Sequence, residues 1–323
     1  MKQYRPHKIG FHIPSWLSRF IPLSRVAAAF LAGLGDKNKL KDFNNKHCAL
    51  PWLEYKVERK EDRVLMLRDE RPMGLVPGDN TVSCLTAGVD TQDNGYWYEV
   101  RAWGWGMTLE SWQVRAGFVD SFEALEKILF EERYADAQGH EHFVRVAVQD
   151  SGGHRTSEVY DFSRKHRGRL FAFKGERRMR QPWAFSKIDT YPGSNKMIIG
   201  GLQLLRADTN YFKNQLAGKL EVTGADPGAW HLCSETTDEW ARHMCAEYID
   251  EKTQYWECPP NKANHGWDCS VLNLVAVDVL RVRFWKRTDG GRQTADGGQR
   301  SGLEPGEKRK QGWLEKKDGW IKG

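Results

Sequence analysis

The segment that most restricts the fold is Val82-Ser-Cys-Leu-Thr-Ala-Gly-Val89, an apolar run that ends at a carboxylate, Asp90. A short run of this kind reads as a buried strand. Beyond the turn signal Asp93-Asn94-Gly95, the residues from Tyr96 to Met107 alternate, with Trp97, Glu99, Arg101, Trp103 and Trp105 on one parity. A third strand is expected from Glu110 to Val119, after Gly106-Met107-Thr108. Short turns between successive strands predict an antiparallel meander.

The pattern then changes. Ser121 is placed to cap a helix that carries Phe122, Leu125, Ile128 and Leu129 on one face. Phe143 to Val148 reads as a strand with Asp150 just past its end, His154 to Lys165 as a helix, and Leu170 to Phe173 as another strand. Three antiparallel strands followed by helix, strand, helix and strand match the order of an RNase H-like α/β domain, a mixed sheet flanked by helices on both faces. Further helices are expected at Tyr211 to Leu220 and Asp238 to Cys245, and a long one at Trp267 to Val282 that is too apolar to lie on the surface. Ahead of the strands, Ser24 is placed to cap a helix through Val26, Phe30, Leu31 and Leu34, and Leu40 and Phe43 mark a second short amphipathic piece. Residues 51–80, rich in Pro, Gly and charge, read as a connector, and residues 286–323, rich in Gly, Lys and Arg, as a flexible basic tail. Near its end that tail carries a small apolar cluster of Trp313, Leu314, Trp320 and Ile321.

Composition narrows the chemistry. A net charge of +6 tilts the chain mildly toward a polyanionic partner. The fourteen Trp residues are expected largely in strands and at surfaces that meet a partner. None of the six cysteines falls in a Cys-x-x-Cys pair, so they are expected to be reduced, buried thiols rather than zinc ligands. The apolar run from Val26 to Leu34 is too short to span a bilayer, and no targeting segment is evident.

Three aspartates stand out by position: Asp90 at the end of the first strand, Asp150 after a second, and Asp268 near the start of the last long helix. Carboxylates at strand ends are accessible yet held on rigid elements, and three of them meeting at one sheet edge make an oxygen-rich site of the kind Mg²⁺ and Mn²⁺ prefer. Two ions about 3.5–4 Å apart suffice for phosphodiester hydrolysis without a protein nucleophile. Taken singly, each aspartate reads more readily as a turn former or a helix cap than as a metal ligand.

The stretch LTAGVDTQDNGYWYEVRAWGWG, beginning at Leu85, resembles the start of the nuclease domain in large terminase subunits of lambda-type tailed phages. VAVQDSGGHRTSEVYDF, ending at Phe162, is similar to the family's second acidic motif, and HGWDCSVLNLVAV to its third. DKNKLKDFNNKHCALPW and the segment from Trp52 to Pro77 resemble the join to the family's ATPase domain. The likeness covers residues 10–285. It implies an RNase H-like nuclease with Asp90, Asp150 and Asp268 as catalytic metal ligands, Mg²⁺ or Mn²⁺ as cofactor, and double-stranded DNA as substrate. It also implies a small terminase subunit and the portal or procapsid as partners, with the tail as the docking element, in the cytoplasm of a bacterial host. The expected division is 1–80 for the end of the ATPase domain plus linker, 81–285 for the nuclease and 286–323 for the tail. No Gly-x-x-x-x-Gly-Lys-Ser/Thr phosphate loop occurs, so no ATPase activity is expected and the chain reads as a fragment or truncated product.

Auxiliary positions carry two readings each. Asp93 is a turn residue or an outer-sphere metal contact. Asp208 is a helix cap or a fourth carboxylate. Lys213 sits where relatives carry a lysine near the site, and is otherwise a solvated helix residue. His154 supports Asp150 or DNA, or is an ordinary helix-start residue. The role of His265 is open. Lys174, Arg177, Arg178 and Arg180, with Trp183 beside them, suit a phosphate backbone or form a solvated loop. His140-Glu-His142 reads as surface. Rival functions are a non-catalytic docking module and another RNase H-like enzyme of the resolvase or transposase type.

Overall fold

The computed structural model describes residues 11–34, 37–50 and 59–287. In chain order the helices and strands are α1 (Leu23–Gly33), α2 (Lys37–Lys46), α3 (Glu61–Leu65), β1 (Val82–Gln92), β2 (Gly95–Gly104), β3 (Ser111–Val119), α4 (Phe122–Glu126), β4 (Tyr134–Ala135), β5 (Glu141–His142) and β6 (Val144–Asp150). They continue with α5 (Thr156–Lys165), β7 (Leu170–Glu176), β8 (Trp183–Thr190), β9 (Met197–Asp208), α6 (Thr209–Lys219), β10 (Trp230–His231), α7 (Asp238–Met244), β11 (Tyr248–Ile249), β12 (Trp256–Glu257) and α8 (His265–Val279).

Eight strands form one mixed sheet in the order β10-β3-β2-β1-β6-β7-β9-β8. The meander β1-β2-β3 is antiparallel, β6 joins β1 in parallel, and β7 and β9 extend the parallel half. This is the expected mixed α/β sheet of RNase H-like type, lengthened by the β8–β9 hairpin. Side chains alternate across β1. Leu85, Ala87 and Val89 enter a core with Leu125, Ile128, Leu129 and Phe162 on the α4–α5 face. Cys84 enters the opposite core, built from α6, α7 and α8. Asp90 shares the parity of Cys84, so it faces α8.

Two features fix α8 against β1. Gly88 leaves no side chain between them: a Cβ there would lie 2.0 Å from the Cys269 carbonyl oxygen and 3.0 Å from Leu272 Cβ. Below that contact, a fully buried polar network ties α8 to β2. Glu99 accepts from Arg101 Nη2 at 2.7 Å and from Ser270 Oγ at 2.9 Å, and Asn273 Nδ2 donates to the Glu99 carbonyl at 3.0 Å. Thr86 Oγ1 donates to Asn273 Oδ1 at 2.7 Å. A buried charge pair holds only when its remaining lone pairs and protons are met, and these are.

Several expectations shift. Ser24 is not the cap of α1: Pro22 occupies that position, with no side-chain cap bond. Asp150 is the last residue of β6 rather than the one after it. α8 begins two residues earlier than expected, at His265. The described part of the connector packs against the fold. Val64 is buried in the α8-side core, Asp69 N donates to Leu232 O at 2.9 Å, and Gly74 N to Val114 O at 2.7 Å. Among the described Trp residues, Trp97, Trp103, Trp112, Trp183, Trp230 and Trp256 lie in strands as expected, but only Trp16 is exposed, and Trp103, Trp112, Trp230, Trp240 and Trp267 are buried in the core rather than at a surface. The six cysteines are free thiols, but only Cys84, Cys233 and Cys269 are fully buried. Residues 51–58 and 288–323, with the apolar cluster of the tail, lie outside the described residues.

Candidate functional site

Asp90 and Asp150 reach one edge of the sheet because their strands run parallel and in register, Val89 beside Gln149. The next residues on each strand, Asp90 and Asp150, are therefore lateral neighbours on strands about 4.8 Å apart. Thr91 Oγ1 donates to the Asp150 carbonyl at 2.6 Å and receives Gln149 Nε2 at 3.2 Å, which locks the two strand ends together. Asp268 arrives from above, on the first turn of α8, where the Gly88 contact sets its height.

The charge of Asp90 acts on each of the other two carboxylates. Burial and the charge of Asp90 push the Asp150 carboxyl up to about 6. About a third of the Asp268 side chain, 32%, stays exposed, yet burial pushes its carboxyl up to about 7, with Lys213 pulling down and Glu247 and Asp90 adding to the rise. Burial outweighs the pull of Lys213 at Asp268, the Asp90 charge adds to the rise at both carboxyls, and oxygen donors so placed suit a hard divalent ion. Among the described residues, no three His, Cys, Asp or Glu side chains already stand arranged around a single ion position. The carboxylates instead turn to nearby donors. Asp90 Oδ2 receives Gln92 Nε2 and faces His265 Nδ1, each at 2.8 Å. Asp150 Oδ2 receives Gly152 N at 3.2 Å. Asp268 Oδ2 receives Asn264 Nδ2 at 2.8 Å, and its Oδ1 lies 3.4 Å from Lys213 Nζ.

Of the auxiliary positions, His265 and Lys213 join the site. His265 stacks on Trp97, the cross-strand partner of Asp90, with ring centroids 5.5 Å apart, and meets His243 edge-on. Burial holds His243 down at about 4. For Lys213, burial opposes the charge, but Asp268 and Glu247 outweigh it and raise the ammonium's pKa. Asp93 and His154 are exposed and 3.4 Å apart on the rim of a cleft of about 370 Å³ that Asp90, Asp150 and Arg155 also line.

The structure does not bring Asp208 in. Its Oδ1 caps α6 through Tyr211 N and its Oδ2 takes Met179 N, each at 3.0 Å, so the cap reading holds over a fourth carboxylate. Lys174, Arg178 and Arg180 are exposed just beyond Phe173, the residue paired with Asp150. Arg177 is already engaged by Glu257 at 3.4 Å and by the Tyr255 ring. His140 and His142 turn toward Asp136, at 3.0 and 3.7 Å. Sequence reasoning missed Gln92, His243 and Glu247. Gln92 alone carried a signal, since it lies two residues from Asp90 on the same strand parity.

A family model for the endonuclease domain of the terminase large subunit gpA matches residues 8–289. The chain belongs to this terminase endonuclease family. It is also similar to the terminase large subunit of Escherichia phage lambda, 27% identical over 306 residues. That match covers 86% of this chain and 45% of the relative, so the chain spans about half the length of the terminase subunit it matches. Asp90, Asp150 and Asp268 all fall within the family match. Among the described residues, no helix is long and apolar enough to cross a membrane.

Proposed function

We propose that the chain is a divalent-metal-dependent endodeoxyribonuclease that cuts concatemeric double-stranded phage DNA during genome packaging, with Asp90, Asp150 and Asp268 as its metal ligands. The observation that carries this reading is the meeting of two in-register strand ends with the first turn of α8, which brings three carboxylates to one sheet edge in a chain of the terminase endonuclease family. Mg²⁺ or Mn²⁺, bound there as a pair, would supply an activated water and stabilise the leaving oxygen of an in-line attack. The protein's share is placement. Asp90 is held through Gln92 and His265, Asp150 through its backbone bond to Thr91, and Asp268 through Asn264. Lys213, beside Asp268, would lend its positive charge to the scissile phosphate. Lys174, Arg178 and Arg180 track the DNA backbone from the neighbouring strand end, without base readout.

In this reading, residues 1–80 are the end of a motor domain plus its connector, 81–285 the nuclease and 286–323 a docking tail. A small terminase subunit chooses the sequence, the tail meets the portal or procapsid, and the work is done in the host cytoplasm. No ATP hydrolysis is expected of the chain. Nicking of supercoiled plasmid with Mn²⁺ or Mg²⁺ tests the reading: wild type cuts, and Asp90→Ala and Asp268→Ala do not. Full activity in either variant removes the assignment.

A further inference from the structure

Glu247 lies between α7 and β11, outside every sequence motif, yet it is among the most deeply buried charges in the molecule, its side chain 2% exposed. Its Oε1 receives two donors, Lys213 Nζ at 2.6 Å and Asn264 Nδ2 at 2.7 Å. Each donor also reaches a different oxygen of Asp268: Lys213 stands 3.4 Å from Oδ1, and Asn264 2.8 Å from Oδ2. The result is a double bridge from one carboxylate to the other. The ammonium sits nearer Glu247 than Asp268 by close to an ångström. Glu247 itself is fixed from behind. The Arg59 guanidinium donates to its carbonyl and stacks 3.9 Å over Trp267, the residue before Asp268. Glu247 Oε2 is buried without a hydrogen-bond partner, so the Lys213 and Asn264 contacts are the ones that hold the carboxylate.

A lysine beside a metal-binding carboxylate competes with the metal for the same oxygens. Without a second anion, the Lys213 ammonium would close on Asp268 and form the tighter pair there. We propose that Glu247 is a positioning residue that draws the Lys213 ammonium off Asp268 and leaves the Asp268 oxygens to a divalent cation. The inference rests on the nuclease reading above. Partners one step removed from a metal's ligands change its affinity by about 10–100-fold when altered.

Calorimetric titration of the full chain with Mn²⁺ alone tests this without any cleavage readout. Glu247→Gln keeps the shape and removes the charge, and is expected to weaken Mn²⁺ binding by about tenfold. Lys213→Met in the Glu247→Gln background removes the competing ammonium and is expected to restore affinity close to wild type, a coupling that a merely structural role would not give. Should Glu247→Gln fail to fold, Lys213→Met alone carries the test: Mn²⁺ must then bind at least as tightly as to wild type, and weaker binding overturns the proposal. Unchanged affinity in a folded Glu247→Gln protein, or no recovery in the double variant, also overturns it. If wild type itself takes up no Mn²⁺ in an Asp90-dependent way, the nuclease reading falls; if wild type binds and Glu247→Gln binds equally, only the role of Glu247 falls.

Discussion

A methyl group at Gly88 is expected to separate Asp90 from Asp268 without touching either. The added Cβ would stand 2.0 Å from the Cys269 carbonyl oxygen, where real Cβ atoms stay beyond 3.0 Å. The obstacle is helix backbone and cannot swing aside like a flexible side chain. The first turn of α8 must therefore lift by at least about 1 Å, and Asp268, the neighbour of Cys269, moves with it. Overpacking of this size costs about 1–3 kcal/mol. At roughly 2–4 °C per kcal/mol for a domain of this size, that is a measurable but survivable drop in Tm. Misplacing a reacting group by about 1 Å costs on the order of 100-fold in rate. Gly88→Ala should thus remain folded by thermal melting and circular dichroism while plasmid nicking falls by about two orders of magnitude. A folded Gly88→Ala protein that cuts at the wild-type rate would refute the claim that the β1–α8 contact sets the geometry of the site.

Other outcomes follow from the same contacts. Asp150 and Asp268 titrate above the ordinary carboxylate range, near 6 and 7, so the native state holds protons that the unfolded chain releases near pH 4. Their contribution to stability is thus lost as pH rises from about 4 to 7, and Mn²⁺, which needs the ionised forms, should raise Tm more at pH 7.5 than at pH 5; equal or larger stabilisation at pH 5 would contradict this. Lys174→Ala, Arg178→Ala and Arg180→Ala should each lower the salt dependence of DNA binding by about 0.9 in the log–log slope, and an unchanged slope would remove that residue from the DNA path. Glu99→Ala leaves the Arg101 guanidinium buried without its counter-ion, and should destabilise by about 3–5 kcal/mol in denaturant unfolding; a loss below about 1 kcal/mol would show that the network does not anchor α8.

What could be read from the sequence was what repeats or ends sharply. The meander, the parallel strands and the apolar α8 follow from periodicity, and the three aspartates from their places at element ends. The β8–β9 hairpin escaped because Trp183–Thr190 is an edge strand, largely solvated, with Ser186, Lys187 and Asp189 diluting its alternation. Its partner is interrupted by Gly200 and Gly201, both at positive φ. Asp208 was ambiguous because a cap and a site carboxylate look alike until the donors are known. Glu247 and His243 carry no local signal, since their meaning arises only when α7 and the start of α8 pack together.

Anomalous diffraction from Mn²⁺-soaked crystals would show whether Asp90, Asp150 and Asp268 hold the ions. Ion density is expected within about 2.1 Å of a carboxylate oxygen of Asp90 and of at least one of Asp150 and Asp268. Ions bound elsewhere, or none at this sheet edge under conditions that support cleavage, would contradict it.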